Sequence, residues 1–240
     1  MFPIVRVDRQ QAESIEPLGT KRKYWFTDEL GRRILFKAEE RGTGEDWAEK
    51  IACELADLLG LPHVRYDLAE EYDLAKETER RTPGVVCETF IRPPCALVLG
   101  NEFLLACDSS YPAERRFKLR EHTVAVVAEV IKAWELPQPP FADKVPAGLA
   151  TALDVFVGYV MFDAWVANQD RHHENWAAVR EGERFWLAPT FDHGASMARN
   201  LTVKERYERL ATRDANRQIP AFARKALLAF YEQSTDDTQM

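Results

Sequence analysis

Two kinds of hydrophobic periodicity divide the chain. Before Pro93, short apolar runs alternate with turn residues. "KYWFTD" and "RILFKAEE" flank "ELGR", a pattern that predicts a hairpin around a glycine-containing turn. After the break "RGTG", the stretch "EDWAEKIACELADLLG" switches to helical spacing, with Ala48, Ile51, Ala52, Leu55, Leu58 and Leu59 on one face. Thr43, followed three residues on by Asp46, predicts a capping box, and Gly60 a helix stop. "HVRYDLAEE" and "GVVCETFI" read as two more strands, so this part is expected to run β-β-α-β-β.

Beyond the prolines of "RPPCALVLG" the spacing becomes mainly helical, which places a lobe boundary near Pro93. "EHTVAVVAEVIKAWE", "GLATALDVFVGYVMFDAWVAN", "KERYERLATR" and "PAFARKALLAFYEQ" are the predicted helices, and "WAAV…RFWLAP" a hairpin between them. The expected fold class is α+β with two lobes: residues 1–93 form a small β-rich lobe with one helix, and residues 94–240 a helical one. The longest apolar stretch, Ala147 to Ala167, contains Asp154 and Asp163. Two unpaired acids are costly in a bilayer, so the stretch is expected to be a core helix and no membrane partner is expected.

Composition changes this picture little. The balance of 46% hydrophobic and 30% charged residues is that of a globular protein, and the net charge of −7 offers no overall basic footprint for nucleic acid. "GTKRKYWF" is a local basic patch that reads equally as a solvated turn or a phosphate contact. Four scattered cysteines without a CxxC pair, and an N-terminus without a signal-like apolar core, fit a reducing, cytoplasmic setting.

The chemistry gathers at "ANQDRHHENWAAV", directly after the longest apolar helix. Asp170 and Asn175 are five residues apart in a segment leaving that helix, and Asp192 follows 17 residues after Asn175, across the predicted hairpin. A hairpin returns the chain near its start, so the three side chains can converge. Oxygen ligands from Asn and Asp suit Mg²⁺, which fills its remaining positions with phosphates and water. A third carboxylate can take the proton of an attacking hydroxyl, as in phosphoryl transfer. Such a site needs a cation, and Lys37 sits within a strand-like run. Its partner would be Glu49 or Glu54 on the following helix; spacing leaves both open, and the small residues beside Glu49 favour it mildly. Zinc is not expected of His172, His173 and His193, whose spacing is not HExxH. His172 is expected to hold the loop by hydrogen bonds, His173 to face water, and Trp165 and Trp176 to wedge the loop's base. "GTG" at 42–44 lacks the third glycine of a dinucleotide fingerprint, and neither a Walker A nor a G-x-S-x-G motif is present.

The ordered set "LGTKRKYWF", "LFK", "AEKIACELADLLGLP", "VVCETFI", "LGNEFLLA", "NQDRHHENW" and "LAPTFDHGAS", spanning Pro17 to Met197, resembles the HipA-like bacterial serine/threonine protein kinases. The resemblance implies a protein-kinase-like fold and an ATP- and Mg²⁺-dependent transfer to a protein hydroxyl, with a toxin-like role. It implies Asp170 as catalytic base, Asn175 and Asp192 as magnesium ligands, and Lys37 on the phosphates with Glu49 as its partner. It makes Glu88, Thr89, Phe90 and Ile91 the adenine-facing hinge, and Gly19, Thr20 and Lys21 the phosphate-covering segment. The longer toxins of that family carry an extra N-terminal subdomain and a larger helical lobe, which this chain is not expected to have; that weakens the carry-over of an antitoxin partner and of any particular protein substrate. Lipid or small-molecule phosphorylation, nucleotidyl transfer and a nucleotide-binding pseudokinase are the alternatives on the same fold.

Overall fold

The computed structural model describes residues 2–16, 21–73, 81–116, 118–224 and 230. Its first half is built on a six-stranded sheet in the order β1-β5-β6-β4-β3-β2, from β1 (Ile4–Asp8), β2 (Ser14–Ile15), β3 (Lys23–Thr27), β4 (Arg33–Ala38), β5 (Asp67–Tyr72) and β6 (Thr82–Glu88). The β3–β4 hairpin turns where the glycine predicts it. Gly31 has φ +76°, and the Asp28 carboxylate accepts the amides of Leu30 and Arg32 at 3.0 and 2.8 Å. The strands β1 and β2 precede the expected set; β1 pairs in parallel with β5, a contact about sixty residues away in sequence.

Strand alternation sorts the side chains. Tyr24, Phe26, Ile34, Phe36 and Ala38 cluster with Val7, Ala69 and Val86 on one face. Lys37, between Phe36 and Ala38, is therefore turned to the opposite face, where helix α1 (Glu45–Leu58) packs. There Cys53 joins Val64, Tyr66, Val85 and Cys87.

The expected Thr43 cap does not form. The N-cap of α1 is Gly44, at φ +89°, and the Thr43 hydroxyl is buried without a partner. The loop amides are satisfied instead by the Glu39 carboxylate, which accepts from Arg41, Gly42 and Glu45 at 2.7, 2.9 and 2.6 Å. A carboxylate from the end of β4 thus fills the anion nest that "GTG" presents, and brings its charge to the helix N-terminus. A side chain at Gly44 would also collide with the Trp47 indole.

The chain leaves the first sheet after Glu88 and enters a second, β7-β8-β9, from β7 (Ala96–Leu99), β8 (Ala177–Glu181) and β9 (Arg184–Leu187). Two elements here lie outside the sequence reading: β7, which pairs with a strand eighty residues on, and α2 (Gly100–Cys107). The remaining helices are α3 (Val124–Ile131), α4 (Ala152–Val166), α5 (Val203–Ala211) and α6 (Ile219–Ala223). The main core joins α3, α4, Trp134, Trp176, Leu187 and Phe230. The acid at 154 caps α4, with Thr151 Oγ1 accepting from the Asp154 amide at 3.1 Å and Asp154 accepting from the Thr151 amide at 2.9 Å. No described helix is long and apolar enough to cross a membrane.

Candidate active site

Helix α4 ends at Ala167, which adopts φ +52°, and the chain turns into the polar loop. What holds that loop is Arg171, a residue to which the sequence reading gave no role. Its guanidinium is fully buried and forks onto Asp163, Nε to Oδ2 at 2.6 Å and Nη2 to Oδ1 at 2.9 Å. The other hydrogens reach the carbonyls of Asn175 and Phe191, the Thr190 hydroxyl and His193 Nε2. One planar side chain therefore ties α4, the loop and the segment before Asp192 together. The signal for it in the sequence was Asp163 itself, a carboxylate within an apolar helix that demanded a partner.

Two further contacts fix the loop from α2. The amides of Gly100 and Asn101, at the helix N-terminus, donate to the carbonyls of Trp176 and His173 at 2.9 and 3.0 Å. Gly100 is required here, because a Cβ would lie 2.5 Å from the His173 carbonyl. His172 is held as expected by polar contacts from the loop and from Arg116: Nε2 accepts from Arg116 at 2.8 Å, and Nδ1 lies 3.1 Å from the Glu174 amide nitrogen. His173 does not face water. It is buried against Tyr111, whose hydroxyl lies 3.0 Å from Nδ1, and His122, whose ring centre lies 6.0 Å away. Trp176 is buried in the loop's base, whereas Trp165 is 62% exposed on the far side of α4 and wedges nothing. Burial, reinforced by the neighbouring arginines, lowers His172 and His193 to about 3 and His173 to about 4, so all three are neutral at pH 7.

The loop presents Asp170 and Asn175. The Asn175 Nδ2 donates to the Asp170 carbonyl, and its Oδ1 has no hydrogen bond among the described residues. Burial, and then the like charge of Asp192, push the Asp170 carboxyl up to about 6 against Arg116, Lys21 and Arg199.

Asp192 itself sits at φ +60°, a left-handed conformation that non-glycine residues seldom hold without outside support. Lys37 Nζ bonds its Oδ1 at 2.7 Å and lies 3.4 Å from Glu49 Oε2, while Glu49 Oε1 accepts the His193 amide at 2.9 Å. Glu54 lies elsewhere, 2.6 Å from Lys50. Burial opposes all three charges. The pairing outweighs it for Lys37, held well above its ordinary value by Asp192 and Glu49, and for Asp192, held well below the carboxylate range by Lys37 with Lys23 and Lys21 behind it. For Glu49 burial wins and its pKa is raised, with Lys37 pulling the other way.

The "KRK" stretch is not a solvated turn. Lys21 pairs with Glu45 on α1, Arg22 with Glu71 and Glu40, and Lys23 opens β3 directly beside Lys37. Lys23 is 9% exposed and has no hydrogen bond or ion pair among the described residues; burial lowers its pKa. Gly19 and Thr20 lie outside the described residues. Glu88 to Ile91 form the crossing between the sheets. Thr89 donates its amide to the Arg33 carbonyl at 2.9 Å, and Phe90 packs on Phe191, the neighbour of Asp192, with ring centroids 6.3 Å apart. A cavity of about 720 Å³ lies behind this crossing, but its lining includes none of Lys37, Asp170, Asn175 and Asp192.

Among the described residues no three His, Cys, Asp or Glu side chains gather as a metal site. One carboxylate and one amide oxygen, Asp192 and Asn175, are the donor set that Mg²⁺ accepts when phosphates and water complete its shell. The arrangement as a whole joins a charge-paired lysine of the first sheet to Asp192, with the carboxylate loop that follows α4 alongside.

No protein-family model matches the chain, and no curated protein matches it. Solved structures do. The Helicobacter pylori proinflammatory kinase CtkA is 17% identical, with a TM-score of 0.68 over 99% of this chain and 75% of that one. HipA of Shewanella oneidensis MR-1, solved with HipB and operator DNA, is 13% identical, with a TM-score of 0.52 over 93% of this chain and 48% of that one. At these identities the likeness is one of fold: the chain has the two-lobed, kinase-like fold of CtkA, which HipA matches over a smaller share of its length.

Proposed function

We propose that the protein is an ATP- and Mg²⁺-dependent kinase that phosphorylates a serine or threonine hydroxyl of a protein. The observation that carries the reading is Lys37 bridging Glu49 and Asp192 across the cleft, opposite a carboxylate raised to about 6. Asn175 and Asp192 would hold the metal. Lys37 and Lys23 would face the phosphates, the main chain of residues 88–91 the adenine, and residues 19–21 would cover the phosphates; the lobes divide at residue 93. Bound Mg-ATP supplies the transferable phosphoryl group and the metal's positive charge. The chain's own work is positioning and charge compensation. Asp170, ionised above pH ~6, takes the proton of the acceptor hydroxyl as its oxygen bonds to phosphorus and the bond to ADP breaks. The likeness to a HipA solved with HipB makes a HipB-type protein a partner to test by co-purification.

The test is intact-mass measurement of the pure protein after incubation with Mg²⁺ and ATP, beside Asp170→Asn, with and without a mixed protein substrate. Phosphate gained only with the wild-type chain supports the reading. Addition of AMP instead overturns it in favour of nucleotidyl transfer, and nucleotide binding without any transfer favours a pseudokinase.

A further inference from the structure

The start of α1 is tied down from an unexpected direction. Its N-cap residue, Gly44, supplies no side-chain bond, and its first residue, Glu45, pairs with both Lys21 and Arg199. Glu49 follows one turn later on the same helix face. Any shift of the first turn therefore moves Glu49 relative to Lys37 and to the His193 amide. The tolerance is small, since Glu49 Oε2 lies 3.0 Å from where a Cβ on Gly194 would stand.

Arg206, on α5, reaches this junction. Its Nη2 donates to the carbonyls of Thr43 at 2.8 Å and Arg199 at 3.0 Å, Nε approaches the Ala198 carbonyl at 3.4 Å, and the guanidinium stacks 5.1 Å from the Trp47 ring centre. It thus touches the loop before α1, α1 itself, and the segment that follows Asp192. In that segment Met197 and Ala198 are consecutive non-glycine residues in the left-handed region, at φ +54° and +55°. Such backbone persists only where its surroundings impose it. Burial of α5 is not what imposes it: α5 buries no side chain, and its Val203, Tyr207 and Leu210 are exposed.

We propose that Arg206 is a positioning residue that clamps the start of α1 to the segment after Asp192 and so sets Glu49 against Lys37. This rests on the kinase reading for its effect on turnover, though not for its effect on structure. Only a forked, planar cation can bond two carbonyls and stack on an indole together; a lysine supplies one point of charge.

The test uses full-length wild type, Arg206→Ala and Arg206→Lys. Hydrogen exchange is read in residues 45–58 and 192–199, with α4 as internal reference, and kcat and KM for ATP are measured well below the melting temperature. Arg206→Ala is expected to speed exchange in both segments and leave α4 unchanged. Because a displacement of about 1 Å remote from the chemistry costs up to ~100-fold, kcat should fall between about 10- and 100-fold, with KM changed far less. Arg206→Lys should recover only part of both. A purely stabilising arginine would lower the melting temperature and leave kcat and the two segments' exchange untouched, and that result overturns the proposal. So does a lysine variant equal to wild type in both readouts, which also decides the matter if the alanine variant does not fold. Wild-type protein without transfer activity would count against the kinase reading alone, because the exchange measurement still decides the clamp.

Discussion

Two buried charge centres lie within the same fold and are finished differently. Around Arg171, Asp163 and Arg171 are both essentially without solvent contact, and the guanidinium's hydrogens are distributed over Asp163, two carbonyls, a hydroxyl and an imidazole. Around Lys37, Asp192 keeps a quarter of its side chain open to solvent, and among the described residues one of its oxygens has no hydrogen bond and the neighbouring Lys23 has no ion pair. A saturated centre can only hold elements in place. An unsaturated one, held open by backbone that the first centre fixes, can exchange its internal partner for a ligand. The contrast separates residues whose contacts are complete from those left able to meet a ligand.

The largest effect should come from breaking the saturated centre. Arg171→Met leaves the buried Asp163 with Asn168 Nδ2 as its remaining side-chain donor, which costs about 3–5 kcal/mol; urea denaturation should show it, with or without nucleotide. Asp192→Asn should abolish Mg²⁺-dependent nucleotide binding and turnover, with a smaller drop in the denaturation midpoint because buried Lys37 keeps Glu49 as a partner; full activity in this variant would remove the metal assignment. Asp170→Asn should keep nucleotide binding and lose about 10²- to 10⁴-fold in transfer.

The pH dependence carries a sign. The Asp170 carboxyl has a folded pKa of about 6, above its value in an unfolded chain, so its neutral form favours the fold and that contribution is lost as pH rises through about 6. Asp170→Asn is therefore expected to be more stable than wild type at pH 7, while the wild-type kcat/KM falls on the acid side near pH 6. A profile flat from pH 5 to 8 would take the base role from Asp170.

The smallest effect sharpens the choice between two glutamates. Glu49→Gln should impair turnover clearly. Glu54→Gln, which loses only a partly exposed pair with Lys50, should change activity negligibly and stability by less than about 1 kcal/mol. The reverse order would overturn the assignment of the lysine's partner.

Legibility in the sequence followed the range of the interactions. The β3–β4 hairpin, α1, α4 and the β8–β9 hairpin were readable because each is specified by a local period and a local turn or cap. The strands β1 and β7 were not, since each is short and its partner lies sixty to eighty residues away. The Thr43 cap failed because a carboxylate outside the motif reached the same amides first. His173 was misplaced because Tyr111 and His122, some fifty to sixty residues earlier in the chain, cover it.

By itself the sequence determined the inventory: a strand lysine, a helix glutamate that two positions could supply, and an Asp–Asn–Asp set bracketed by an apolar helix and a hairpin. Only the tertiary structure settled Glu49 over Glu54, set Lys23 beside Lys37, and made Arg171 and Arg206 the joints between segments. The reason is directional. Helical and strand periods say which side chains share a face, but which face meets which is decided by how sheet and helices pack, and a buried charge is stable only where that packing delivers its partner.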